Sequence, residues 1–218
     1  MLFSLLRPLM GLLGAAALWG LLPSHAAAHP HVWISVETTV VYENGSFTGF
    51  RHRWTFDEFY TAMAVEGLDK NNDGKYDRDE LAELAKVNVE GLKDFSYFTY
   101  PLLGGRELKV GEVSDYWLEH KDGILTLNFV LPLAQPVLSD AKGFTFSVYD
   151  PSYFIAFDLV KDDPVKLSAG APKNCRLNVG VPAKDNGQTS ALNEAFSAQL
   201  GAFSGAAIKS VTVECSAP

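Results

Sequence analysis

The sequence predicts a mainly β fold, with antiparallel, sandwich-like sheets and one inserted α-helical unit of the EF-hand type. Short β-rich segments recur along the chain with turn signals between them, the pattern of packed antiparallel sheets. Residues 69 to 80 read DKNNDGKYDRDE, a loop of regularly spaced oxygen donors that breaks this pattern. Cys175 and Cys215 stand as the single cysteine pair and are expected to join as a disulfide across two late strands.

Residues 1–28 read as an export signal. Arg7 is the only charge, Leu9 to Leu22 is apolar, and Pro23 is followed by Ser24-His25-Ala26-Ala27-Ala28. The apolar run is shorter than the roughly 20 residues a spanning helix needs. Cleavage after Ala28 is expected to leave residues 29–218 as a single periplasmic domain with no membrane span. The net charge of −8 comes without a basic run, which argues against nucleic acid as a partner.

Residues 32–42 alternate as a strand, Asn44-Gly45 signals a hairpin turn, and residues 46–56 return as a second strand. The EF-hand unit is expected at about 57–95. Thr55 and Glu58 have capping-box spacing, and the helix they open carries Phe59, Ala62, Met63 and Val65 toward the loop. Beyond the loop, Leu81, Leu84, Ala85, Leu92 and Phe95 keep helical spacing, with Asn88 the one polar residue on that stripe. Strands are then expected in SYFTYPLL, ELKVGEV, DYWLEH, ILTLNFVLPL, FTFSVYD and YFIAFDLV, with Lys121-Asp122-Gly123 as a turn. Residues 164–172 read as irregular, 176–181 and 208–215 as strands, and Ser190 to Leu200 as a short helix. Trp33, Trp54 and Trp117 read as core residues.

The loop 69–80 carries the most specific chemistry. Asp69, Asn71 and Asp73 offer side-chain oxygens at alternate positions, and Gly74 takes the sixth place, where the turn is sharpest. Lys75 offers only its carbonyl, Asp77 binds directly or through water, and Glu80 at the twelfth place can clamp an ion with both oxygens. Such a set suits calcium, which removes the repulsion among four carboxylates. Tyr76 departs from the pattern, since an aliphatic residue is usual at the eighth position.

Several segments resemble those of the family called domain of unknown function 1007. They are His29-Pro30-His31-Val32-Trp33-Ile34, FRHRWTFDEFY at 50–60, and Tyr149-Asp150-Pro151-Ser152-Tyr153-Phe154. The resemblance covers most of the mature chain. It implies the periplasmic component of an uncharacterised ABC-type transport system, encoded near nickel or cobalt exporters, with no catalytic activity attached.

Four histidines remain after cleavage: His29, His31, His52 and His120. With a two-residue hairpin loop His52 faces Glu37, a satisfied structural pair, and His120 reads as a solvated residue beside a turn. The same register brings His31 near Asp57 and Glu58. His29, His31 and one of these carboxylates then form a candidate transition-metal cluster for copper, nickel, cobalt or zinc. Asp150 and Tyr153 are candidates for a surface site, against the alternative of an Asp-Pro turn.

The chain has no GxSxG elbow, HExxH helix or phosphate-cradling glycine loop, so no enzyme is expected. The leading expectation is an exported calcium-binding protein that handles a transition metal beside a membrane metal transporter. The alternatives are a calcium-stabilised structural or interaction module, and a copper enzyme with an N-terminal histidine ligand.

Overall fold

A computed structural model of the chain describes residues 30–180 and 208–216. The signal segment, His29 and the helix expected over 190–200 lie outside the described residues.

The chain opens with β1 (Val32–Glu43) and β2 (Ser46–Phe56), joined by the Asn44-Gly45 turn. Both turn residues have positive φ, at 49° and 86°, which suits asparagine and glycine and matches the twist of a two-residue hairpin. Two helices follow, α1 (Glu58–Ala64) and α2 (Arg78–Lys93), then a 3-10 turn at Ser96–Phe98. Next come β3 (Thr99–Leu103), β4 (Arg106–Glu107), β5 (Asp115–Lys121), β6 (Ile124–Leu138) and β7 (Phe144–Val148). The described chain ends with β8 (Ile155–Leu159), β9 (Val165–Leu167), β10 (Cys175–Gly180) and β11 (Ser210–Cys215).

These strands form two sheets. The first runs β5-β6-β2-β1-β8, with β9 also beside β1; the second runs β10-β11-β7-β3-β4. The second sheet is antiparallel throughout its pairings. The first is mixed, because β8 and β9 run parallel to β1. That corrects the fully antiparallel expectation, and it also gives strand structure to part of the segment read as irregular. ELKVGEV, by contrast, contributes little strand: β4 ends at Glu107, and Val110 makes only an isolated bridge to Leu133.

Alternation along the strands fills the space between the sheets. Val32, Ile34, Val36 and Val40 of β1 point inward with Phe50, Trp54 and Phe56 of β2. Leu125, Leu127, Phe129 and Leu131 of β6 join them, and Phe144, Phe146, Val211 and Val213 approach from the second sheet. Phe50 meets Phe146 at 4.7 Å between ring centroids and Phe47 meets Phe144 at 5.6 Å, so aromatic contacts tie one sheet to the other. Trp33 departs from the expectation of a core residue. It lies between inward-facing Val32 and Ile34 and is 54% exposed.

The β1–β2 register contains one irregularity that reassigns several partners. It shifts between Val41 and Tyr42, where Val41 pairs with Gly49 and Tyr42 with Phe47, leaving Thr48 over. Thr38 therefore faces His52, and Glu37 faces Arg53, with which it forms an ion pair at 2.7 Å. The expected His52–Glu37 pair does not form. Gly49 sits where its backbone passes close to β6; a Cβ there would collide with the Leu131 carbonyl.

Candidate functional site

The two helices and their connecting loop are inserted between β2 and β3. Asp57, not Thr55, opens α1: its Oδ1 accepts the Tyr60 amide at 2.8 Å. Thr55 belongs to β2, facing Ser35, and its hydroxyl lies 3.3 Å from that of Thr126. Thr61 and Val65 are the buried residues at this end, while Phe59 and Met63 are exposed. The Leu125 amide donates to Thr61 Oγ1 at 3.1 Å, fastening α1 to β6.

Helix α2 buries Leu81, Ala85 and Val89 and packs along β5. The polar break in its stripe has a defined role. Tyr60 donates its hydroxyl to Asn88 Oδ1 at 3.2 Å, and Asn88 Nδ2 donates to the Leu84 carbonyl at 2.9 Å. Asn88 thus links the two helices. Burial raises the Tyr60 hydroxyl above its ordinary pKa, opposed by the Asn88 bond and reinforced by the nearby Asp57 charge.

The loop between the helices is built from carboxylate and carboxamide oxygens folded onto its own amides. Asp69 Oδ2 accepts from Gly74 N at 3.0 Å, and Asp69 Oδ1 from Asp73 N at 3.2 Å. Asn71 Oδ1 accepts from Asp73 N, and Asp73 Oδ1 from Lys75 N, both at 2.8 Å. Gly74 turns the chain at φ 77°, a region closed to most side chains. Glu80 closes the loop from the far end: its Oε1 accepts the Lys70 amide at 2.9 Å and its Oε2 the Asp77 amide at 3.1 Å. Asp77 Oδ1 in turn accepts from Asp79 N and Glu80 N at 2.9 Å, completing a reciprocal capping box that starts α2. Glu80 is buried.

The donor chemistry of this loop fits a hard divalent cation. The side-chain donors at its first, third, fifth, ninth and twelfth positions are all oxygens, and the sixth is glycine in the left-handed region. As arranged, those oxygens are directed at backbone amides. Among the described residues no three His, Cys, Asp or Glu side chains are gathered to hold a metal ion.

Of the candidate histidine cluster, the described residues are His31, Asp57 and Glu58. Asp57 stands opposite Trp33, because its amide donates to the Trp33 carbonyl at 3.0 Å and its Oδ2 accepts the Trp33 amide at 2.8 Å. With the Tyr60 bond, both oxygens of Asp57 are engaged by backbone. Glu58 is the exposed first residue of α1. His31 is exposed, donates its amide to the Phe154 carbonyl at 2.9 Å and sets its ring 4.9 Å from that of Phe154. His29 lies outside the described residues.

His120 corrects the expectation of a solvated loop residue, and Asp150 takes the turn alternative. His120 is on β5, half-buried, with its ring edge-on to Tyr76 at 4.7 Å. Asp150 is a buried turn organiser rather than a surface group. Its Oδ1 accepts the Ser152 amide at 2.8 Å, its Oδ2 accepts the Ile155 amide at 3.0 Å, and the Ser152 hydroxyl bonds both oxygens. It borders a cavity of about 40 Å³ between the sheets, lined also by Val36, Phe146, Phe157 and Val211. That volume admits water but not the roughly 300 Å³ and more of a typical organic ligand.

The expected disulfide is present. Cys175 and Cys215 pair across β10 and β11 and are bonded through sulfur. No helix among the described residues is long and apolar enough to cross a membrane.

Sequence comparison places the chain in a family. An uncharacterized protein of Haemophilus influenzae is 28% identical over 158 residues, covering 72% of this chain and 75% of that protein. A Spirochaeta aurantia protein described as an uncharacterized 15.5 kDa protein is 34% identical over 100 residues, covering 45% of this chain and 70% of that one. The family described as protein of unknown function DUF1007 matches residues 14–215, and the chain belongs to that family.

Proposed function

We propose that this is an exported protein in which an EF-hand loop, Asp69 to Glu80, binds calcium as a brace for a β-rich domain. The feature that carries the reading is the spacing of the oxygen donors Asp69, Asn71, Asp73, Asp77 and Glu80, with Gly74 in the left-handed region at the sixth place and buried Glu80 accepting the Lys70 amide. A cation at the centre would take over these oxygens and relieve the repulsion among four carboxylates. A single loop suits a brace better than a switch. Outside the cytoplasm an affinity of about 10⁻⁴ to 10⁻³ M is sufficient for that task. The disulfide between Cys175 and Cys215 is compatible with an oxidising compartment such as the periplasm.

The wider role we propose is a metal-binding accessory to a transition-metal transport system. His29 and His31 would hold copper, nickel, cobalt or zinc through imidazole and, after cleavage at Ala28, the free amine. Asp57 is engaged as a helix cap, so Glu58 would be the carboxylate left to assist. That engagement favours a second reading: a calcium-stabilised interaction module with no transition metal.

Metal analysis of the purified exported protein separates the two. One equivalent of copper, nickel, cobalt or zinc besides calcium, lost in His31→Ala, supports the transport role. Calcium alone supports the interaction module.

A further inference from the structure

The loop is gripped by β5 on both sides of Asp77. Tyr76 precedes Asp77, and its ring packs edge-on to His120 of β5 at 4.7 Å. Arg78 follows Asp77, and its guanidinium lies 4.8 Å from the centre of the Trp117 ring, also on β5. His120 and Trp117 are an odd number of residues apart on one strand, so they project to opposite faces of the sheet. Tyr76 and Arg78 therefore straddle the strand, one on each face, with Asp77 between them. Helix α2, which begins at Arg78, continues along the same strand.

This arrangement fixes the exit half of the loop and leaves the entry half to its own hydrogen bonds. Lys75 and Asp77, at the seventh and ninth positions, flank Tyr76, and Glu80 lies two residues beyond Arg78. The ring contact and the cation–π contact both favour this placement of the loop. Together they hold the backbone at the seventh, ninth and twelfth positions against β5, which leaves fewer residues to be ordered when an ion draws the oxygens from their amides.

Resting on the calcium reading above, we infer that Tyr76 and Arg78 are positioning residues for the loop, clasping it to His120 and Trp117 so that cation binding is felt along β5. Neither touches the ion through its side chain. The mixed character of the clasp also accounts for an aromatic residue at the eighth position: a ring reaches the His120 imidazole with its edge.

The test uses the exported protein, calcium alone, and amide and indole NMR signals. Trp117→Phe identifies the Trp117 indole resonance. Calcium is expected to shift that resonance, and Tyr76→Ser and Arg78→Ser are each expected to weaken calcium about three- to tenfold. Tyr76→Phe, which keeps the ring, is expected to bind within about twofold of the parent. Melting temperature in chelator shows whether each variant folds, and Arg78 is exposed enough to be replaced without disturbing the core. Calcium binding by the parent with an unmoved Trp117 signal, or with unchanged affinity in both serine variants, would overturn the clasp alone. No calcium binding by the parent would overturn the clasp together with the reading on which it rests.

Discussion

Thr38 and His52 face each other across the β1–β2 ladder, and the Thr38 hydroxyl lies 3.0 Å from His52 Nδ1. On the other side of the ring, Nε2 lies 3.3 Å from Thr99 Oγ1, in the opposite sheet. Thr99 gives its one hydroxyl proton to the Tyr97 carbonyl at 2.9 Å, so its oxygen accepts and His52 Nε2 donates. The network thus assigns a neutral His52 with its proton on Nε2 and Thr38 donating to Nδ1. His52 is fully buried among Phe50, Trp54 and Phe129, and it bridges the two sheets.

Burial without a counter-charge lowers the His52 pKa to about 3. The unfolded chain takes up this proton near the ordinary value of 6.5, and the folded chain resists it. Stability is therefore lost as the pH falls from about 6.5 toward 3, at up to about 1.4 kcal/mol per pH unit for this one group. Denaturant unfolding at pH 7, 6 and 5 checks it. His52→Gln is expected to be less stable at pH 7, with the gap to the parent narrowing as the pH falls. Parallel pH profiles would remove His52 as the source.

Gly49 and Gly91 make opposite predictions for the same substitution. Gly49→Ala puts a methyl into the Leu131 carbonyl and is expected to cost about 1–3 kcal/mol or more. Gly91 lies in α2 with open space around it, and Gly91→Ala is expected to stabilise by about 0.5–1 kcal/mol. Urea unfolding of both variants gives the comparison. Equal effects would contradict the close approach of β2 to β6.

Asp57→Ala removes both the α1 cap and the acceptor for the Trp33 amide, and is expected to cost about 1–2 kcal/mol. Thr55→Ala, in β2 opposite Ser35, is expected to leave α1 intact. Amide exchange at Tyr60 is the readout: acceleration in Asp57→Ala and not in Thr55→Ala is the predicted result.

These cases mark how far the sequence was legible. Local signals with one physical meaning carried through: Asn44-Gly45, Lys121-Asp122-Gly123 with both Asp122 and Gly123 at positive φ, and the lone cysteine pair. Signals that depend on a neighbour did not. One extra residue at Thr48 shifted the ladder and moved the partner of His52 from Glu37 to Thr38, a bulge with no signature of its own. The loop's Asp77 and Glu80 also form the capping box of α2, a pattern visible in the sequence but overshadowed by their reading as ligands. The burial of Asp150 and the placing of His120 beside Tyr76 depend on contacts made by other segments, which spacing alone does not reveal.

Reduction of Cys175–Cys215 is expected to lower the melting temperature. The bond spans 40 residues and ties β10 to β11, at one end of the second sheet. In the chain-entropy description a loop of this length contributes about 4 kcal/mol. Thermal scans with and without reductant, beside the double alanine variant, measure it. Unchanged melting would show that the β10–β11 pairing needs no covalent tie.

Calcium binding at the loop is tested most directly by a calorimetric calcium titration of the purified exported protein, stripped with chelator, against Glu80→Ala. The parent is expected to bind one equivalent with a Kd of about 10⁻⁴ to 10⁻³ M, and the variant to show no measurable binding. A parent protein that takes up no calcium at about 10 mM, well above that range, or a Glu80→Ala variant that binds as tightly as the parent, would contradict it.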